Sequence, residues 1–244
     1  LNCHLSLRSY PYLIGREWGM TTESTACSGA TTTDIQGTGN YDGQRGYLGD
    51  KSGDFRQAAM TNALTTFQAG VIRQIEFVDT YQPEIVTLSI GGNDAGLVGK
   101  LTACLMPNVC EWVDDEKMRY ATGLEIQAIF PKVQASIQAV RERSPQSKIA
   151  VVGYPLVINE SETAKCGPLL DVLLTTEERV FINESIRYVN TVLKTAAAIE
   201  QVAYIDIEQS LKDEELCGSS SSAAMNSVRF GDDIAPIEFL EEFV

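Results

Sequence analysis

The chain has 244 residues, of which 44% are hydrophobic and 21% charged, and carries a formal net charge of −14. That length suits one domain with a full core, the apolar runs are too short to span a bilayer, and the excess of carboxylates repels phosphate backbones and anionic lipid head groups. Nucleic-acid binding and a transmembrane segment are thereby excluded, and the acidity is read as a solvated surface.

Two stretches lack periodicity: the Gly- and Thr-rich segment from Ser24 to Gly53, expected to be a long loop over a site, and the tail from Glu208 to Val244, expected to be irregular surface. Between them, the apolar residues Met60, Leu64, Phe67, Val71, Ile75 and Val78 form one helical stripe, which predicts a helix from Phe55 to Tyr81 with Pro83 just beyond it. The β-branched run from Ile85 to Ile90, bounded by glycines, predicts a buried strand that includes Ser89. Ile126, Ile129, Phe130, Val133, Ile137 and Val140 predict a second helix, kinked at Pro131 and stopped at Ser144-Pro145, which feeds a strand from Lys148 to Gly153. Thr175-Thr176-Glu177-Glu178 is a capping-box pattern opening a third helix through Ile182, Ile186, Val189, Leu193 and Ala197, and a strand from Val202 to Ile207 follows. Helix and strand alternate three times, the pattern of a parallel sheet with helices on both faces, in which ligands bind at the carboxyl ends of the strands.

Gly91-Gly92-Asn93-Asp94 stands at such an end. Glycines let the backbone turn sharply against a ligand, and an Asn amide can donate to a developing oxyanion, although Gly and Asn are also ordinary turn residues. Cys27-Ser28-Gly29-Ala30-Thr31 is a second small-residue turn, able to present the Gly29 N–H to the same oxyanion or to serve as a plain surface loop. Gly37-Thr38-Gly39 neither follows a clear strand nor opens a helix, so a nucleotide-binding domain is disfavoured.

Six cysteines fall along the chain as Cys3 and Cys27, Cys104 and Cys110, and the more distant Cys166 and Cys217; the sequence alone does not fix their pairing. No Cys-x-x-Cys or Cys/His spacing supports a metal site, and disulfides would place the protein in an oxidising compartment. Two sequons, Asn159-Glu160-Ser161 in a loop-like stretch and Asn183-Glu184-Ser185 within the third helix, could accept glycans, the second less readily. No signal peptide is visible at Leu1-Asn2-Cys3-His4, as expected for a mature or trimmed product.

Taken in order, Cys3, Ser9-Tyr10-Pro11, Cys27-Ser28-Gly29-Ala30, Leu88-Ser89-Ile90-Gly91-Gly92-Asn93-Asp94, Val152-Gly153-Tyr154-Pro155 and Cys217 resemble the secreted SGNH (GDSL-like) hydrolases, particularly the actinobacterial and fungal esterases and lipases. The resemblance covers nearly the whole chain. It implies a single domain over residues 1–244, truncated at both ends, with a three-layer α/β/α sandwich and a mainly parallel sheet, the flavodoxin-like SGNH hydrolase fold without its first strand. It also implies an extracellular, monomeric carboxylic ester hydrolase that acts on a small-molecule or lipid ester through a serine acyl-enzyme, with no metal or organic cofactor.

By that resemblance Gly29 and Asn93 are oxyanion-hole donors, Gly91 supplies the turn that aims Asn93, and Asp94 braces the loop; the implied disulfides are Cys3–Cys27, Cys104–Cys110 and Cys166–Cys217. The family's Gly-Asp-Ser block occurs nowhere, and the one histidine, His4, sits beside Cys3, far from where the family's His belongs, and is read as a loop residue. Ser28 and Ser89 lack the Gly-x-Ser-x-Gly elbow and an assignable His partner and are rejected as substitutes. The expectation is a parent enzyme whose present chain is inactive by itself; the alternative is a non-catalytic binding module of the same fold.

Overall fold

A computed structural model describes residues 3, 5–36, 53–104, 115–166 and 174–218. Among the described residues the elements in chain order are α1 (Tyr10–Trp18), α2 (Thr32–Gln36), α3 (Gly53–Thr66), α4 (Gln74–Tyr81), β1 (Ile85–Leu88), α5 (Leu97–Cys104), α6 (Glu116–Gln127), α7 (Phe130–Arg143), β2 (Lys148–Val152), α8 (Thr176–Ile199) and β3 (Ala203–Ile205). The strands form one sheet in the order β1-β2-β3, and β2 pairs parallel with β3 in the register Ala150 to Ala203, Val151 to Tyr204 and Val152 to Ile205.

Contacts divide the described residues into two compact units, one within Leu1–Val86 and Ala135–Ile149, the other within Thr87–Gln134 and Ala150–Leu240. In the first unit, Ala63, Val71, Ile72 and Phe77 are buried together, with Met60, Leu64 and Phe67 packed on them. The Phe67 ring lies 4.7 Å from that of Phe77 and 5.1 Å from that of Tyr81, distances at which tilted aromatic rings attract. The Lys148 N–H donates to the Glu84 carbonyl at 2.8 Å, and Gln36 at the end of α2 donates to Ser136 of α7.

The stripe predicted as one helix from Phe55 to Tyr81 is two helices, α3 and α4, separated by residues 67–73. The break has a local cause. Phe67 and Gly70 both have positive φ, and a Cβ on Gly70 would fall 2.5 Å from Cys3 Sγ, so the chain passes beneath the Cys3–Cys27 disulfide in a conformation open to glycine and closed to a helix. Phe67 and Val71 keep the apolar period because they enter the core on either side of the break.

Pro131 does not kink a continuous helix; α6 ends at Gln127 and α7 starts afresh at Phe130, with the proline in its first turn, where a missing N–H leaves no helical bond unmade. Asp115 caps α6 by accepting from the Lys117 N–H. The expected loop from Ser24 contains α2, five residues long, with Asp34 in its first turn accepting from both the N–H and the hydroxyl of Thr31 just before the helix.

In the second unit α8 packs against α5, α6 and β3. It opens on the predicted capping box: Thr175 Oγ1 accepts from the Glu178 N–H and the Glu178 carboxylate accepts from the Thr175 N–H. Its buried face carries Ile182, Ile186, Val189, Leu193 and Ala197, as the stripe requires. Ile126, Ile129, Val133, Val151, Val189 and Leu193 are all at most 1% exposed. Strands β1, β2 and β3 are each shorter than expected, so Ser89 lies one residue past β1 rather than within it.

Candidate active site

The turn at the carboxyl end of β1 is built almost entirely from its own backbone. Gly91 has φ +106°, a conformation that side chains disfavour, and a Cβ there would crowd Ile129 and Val133 at 3.2 and 3.4 Å. The three carbonyls that follow are used inside the turn: that of Gly91 accepts from Ala95 N–H at 2.9 Å, that of Gly92 from Leu97 N–H at 3.0 Å, and that of Asn93 from Gly96 N–H at 3.1 Å. These three bonds fix the shape of the turn from within its own backbone. Asn93 is half-buried, and the largely buried Asp94 carboxylate lies 3.4 Å from the Lys132 ammonium. Lys100 ties the far end, donating to the Ala95 carbonyl at 3.0 Å and pairing with Glu125 at 2.5 Å.

The Gly92 N–H donates to the Tyr154 hydroxyl at 3.2 Å. Tyr154 stands two residues beyond β2 and is itself held by α8: its N–H donates to Asn190 Oδ1 at 2.7 Å, and its carbonyl accepts from Asn190 Nδ2 at 2.8 Å. One turn-pair earlier on α8, Asn183 repeats the arrangement, accepting from Val157 N–H and donating to the Ile158 carbonyl at 2.7 Å. Both amides are almost fully buried. They supply hydrogen bonds to a non-strand segment that would otherwise hold orphaned backbone groups in the core. Neither Tyr154 nor Asn190 was given a role by sequence; the available signal was two Asn residues seven apart inside an otherwise apolar helical face.

In the first unit, Cys27-Ser28-Gly29-Ala30 forms a turn closed by Ala30 N–H to the Cys27 carbonyl at 3.0 Å, with Gly29 at φ +78°, as a type II turn requires at its third position. The Cys3–Cys27 disulfide and the Ser28 N–H to Cys3 carbonyl bond anchor it. Gly29 is exposed, and among the described residues no hydrogen bond takes up its N–H. Ser28 is 1% exposed, which removes its hydroxyl from reach of a substrate. Cys166–Cys217 is formed; Cys104 is disulfide-bonded, whereas Cys110, its expected partner, lies outside the described residues, as do His4 and Gly37-Thr38-Gly39.

Among the described residues no group of three or more His, Cys, Asp or Glu side chains is placed to hold a metal ion, and no helix is long and apolar enough to cross a membrane. Burial and the nearby Asp206 and Glu208 carboxylates push the Tyr204 phenol up to about 12; its ring lies close over Gly153, where a Cβ would meet the hydroxyl at 2.4 Å.

A family model described as GDSL-like lipase/acylhydrolase matches residues 2–224. The chain belongs to that family. It is therefore placed among ester hydrolases, as the motif order implied. It is 26% identical over 239 residues to Lipase 1 of Streptomyces coelicolor, covering 96% of this chain and 72% of that protein. Among solved structures it is similar to phospholipase A1 from Streptomyces albidoflavus, with a TM-score of 0.66 at 21% identity over 95% of this chain and 79% of that one. The extracellular lipase of Streptomyces rimosus superimposes with a TM-score of 0.62 at 23% identity, with the same coverages. These likenesses give the GDSL-like chain the three-layer α/β/α fold expected from its helix and strand alternation.

Proposed function

We propose that the protein hydrolyses carboxylic esters through a serine acyl-enzyme, with the Gly29 N–H and the Asn93 side chain as donors to the tetrahedral oxyanion, Gly91 setting the turn and Asp94 bracing it. The observation that carries this reading is the turn after β1, in which the Gly91, Gly92 and Asn93 carbonyls accept from the Ala95, Leu97 and Gly96 N–H groups, so that its shape is fixed by its own backbone. Charge that develops on a carbonyl oxygen during acyl transfer is stabilised most by donors fixed before reaction begins, and a turn closed by three internal hydrogen bonds is such a fixture.

The other half of the chemistry needs an attacking serine and a histidine that first takes and then returns its proton. Neither is assignable in this sequence, since Ser28 is buried and His4 is the single histidine. The 244-residue chain alone is accordingly expected to be inactive and the ester hydrolase to be the protein in which those groups are present. The names of the relatives, lipases and a phospholipase A1, support a lipid ester as substrate. The two disulfides, and the extracellular origin named for the Streptomyces rimosus lipase, support a secreted protein.

Hydrolysis of short- and long-acyl nitrophenyl esters by the full gene product, beside residues 1–244 alone, tests this reading. Activity only when an upstream serine block and a downstream histidine are present is the expected result. Turnover by residues 1–244 alone, at the rate of the full product, would contradict it.

A further inference from the structure

We propose that Tyr154 is a positioning residue for the oxyanion turn, and that Asn190 holds Tyr154 in place for that task; the proposal rests on the reading of Asn93 as an oxyanion donor. Of the backbone N–H groups from Gly91 to Asn93, that of Gly92 has a side-chain partner on another element, the Tyr154 hydroxyl at 3.2 Å. The internal bonds of the turn fix its own curvature, and the Asp94–Lys132 pair and the Lys100 bridge tie its later residues to α6 and α7. The Gly92 to Tyr154 hydrogen bond adds a tie to the segment after β2, at the residue immediately before Asn93.

The anchor is firm because the Tyr154 backbone is gripped twice by one buried amide, Asn190 Oδ1 and Nδ2 taking its N–H and carbonyl. Asn190 in turn sits on the buried face of α8, among Ile186, Val189 and Leu193. The fit is also steric: a Cβ on Gly92 would lie 3.1 Å from the Tyr154 hydroxyl and 3.2 Å from Cζ, so glycine is what permits the tyrosine to close on the turn. Removing the hydroxyl leaves the ring and its packing while freeing the turn to rotate, and a misplaced donor loses transition-state stabilisation without losing ground-state substrate binding.

The test is Tyr154→Phe in the active full-length enzyme, with Asn93→Ala and Gly92→Ala measured beside it. The expected result is a kcat about tenfold lower with KM within about twofold, an unchanged Tm, and faster amide hydrogen exchange at Gly92. Gly92→Ala combined with Tyr154→Phe is expected to cost no more than the worse single change, because both break the same contact. Wild-type kcat in Tyr154→Phe while Asn93→Ala is strongly impaired would overturn the proposal and leave the oxyanion reading standing. Wild-type kcat in Asn93→Ala would overturn both. A parallel fall of kcat and Tm in Tyr154→Phe with unaltered exchange at Gly92 would reduce the tyrosine to a packing residue and also overturn the proposal.

Discussion

Asn183 and Asn190 show how single polar residues earn a place in an apolar helix face. Each lies where an Ile or Val would satisfy the stripe, and each completes two backbone hydrogen bonds of the segment after β2. Asn183→Ala would leave the Val157 N–H and the Ile158 carbonyl without their side-chain partner, and a buried group so orphaned costs about 1–3 kcal/mol. A loss of about 2–4 kcal/mol in urea unfolding is expected, with Asn183→Asp no rescue because a carboxylate cannot donate to the Ile158 carbonyl. The same burial removes the Asn183 sequon from any glycosylating enzyme, while Asn159 is half-exposed.

Tyr204 makes a pH prediction at the same scale. Its folded pKa is raised to about 12 from 10.0, by burial first and then by Asp206 and Glu208. Below about pH 10 the phenol is protonated in both the folded and the unfolded chain, and its contribution to stability is fully present. Between about pH 10 and pH 12 the unfolded chain releases its proton first, so stability falls as pH rises. The effect is moderated because the ring is only partly buried. Thermal unfolding of the wild type and Tyr204→Phe across this range checks it: the variant should lose part of the alkaline decline, and parallel curves would refute the assignment.

Among the elements, α8 was the most legible because every level of its sequence agrees: the Thr175 cap, the Glu178 return bond and a continuous apolar face. Thr175→Ala is expected to destabilise by about 1 kcal/mol, the usual worth of an N-cap side chain, seen as a lower denaturation midpoint with unchanged denaturant slope. The α3–α4 break is not legible in the sequence, since period counts burial rather than helix, and the partly buried Phe67 and the buried Val71 join one core across a gap whose cause, Gly70 beneath the Cys3 and Cys27 sulfurs, involves residues remote in sequence. Helix α1 is bounded by local signals, Ser9 before it, Pro11 in its first turn and Gly19 at φ +65° closing it. Its Leu13, Ile14 and Trp18 are exposed, so no buried stripe marked it. The two turns proposed to hold the oxyanion are visible in the sequence as glycine-bearing motifs, whereas the bonds of Tyr154 and Asn190 are not, because their partners lie dozens of residues away.

At the scale of the molecule, the disulfides Cys3–Cys27 and Cys166–Cys217 join residues 24 and 51 apart in sequence. A cross-link of the longer span restricts the unfolded chain by about 4 kcal/mol in the chain-entropy model, more than the shorter. Replacing Cys166 and Cys217 together by Ser should therefore lower Tm more than removing any one surface ion pair; an unchanged Tm would show that the cross-link constrains little.

The central claim is that this GDSL-like chain carries the oxyanion half of an ester hydrolase, and the most direct measurement is kcat for Asn93→Ala in the full-length enzyme. Loss of one oxyanion donor should lower kcat by about 10²–10³ with little change in Tm. Turnover equal to the wild type in a folded Asn93→Ala protein would contradict the account.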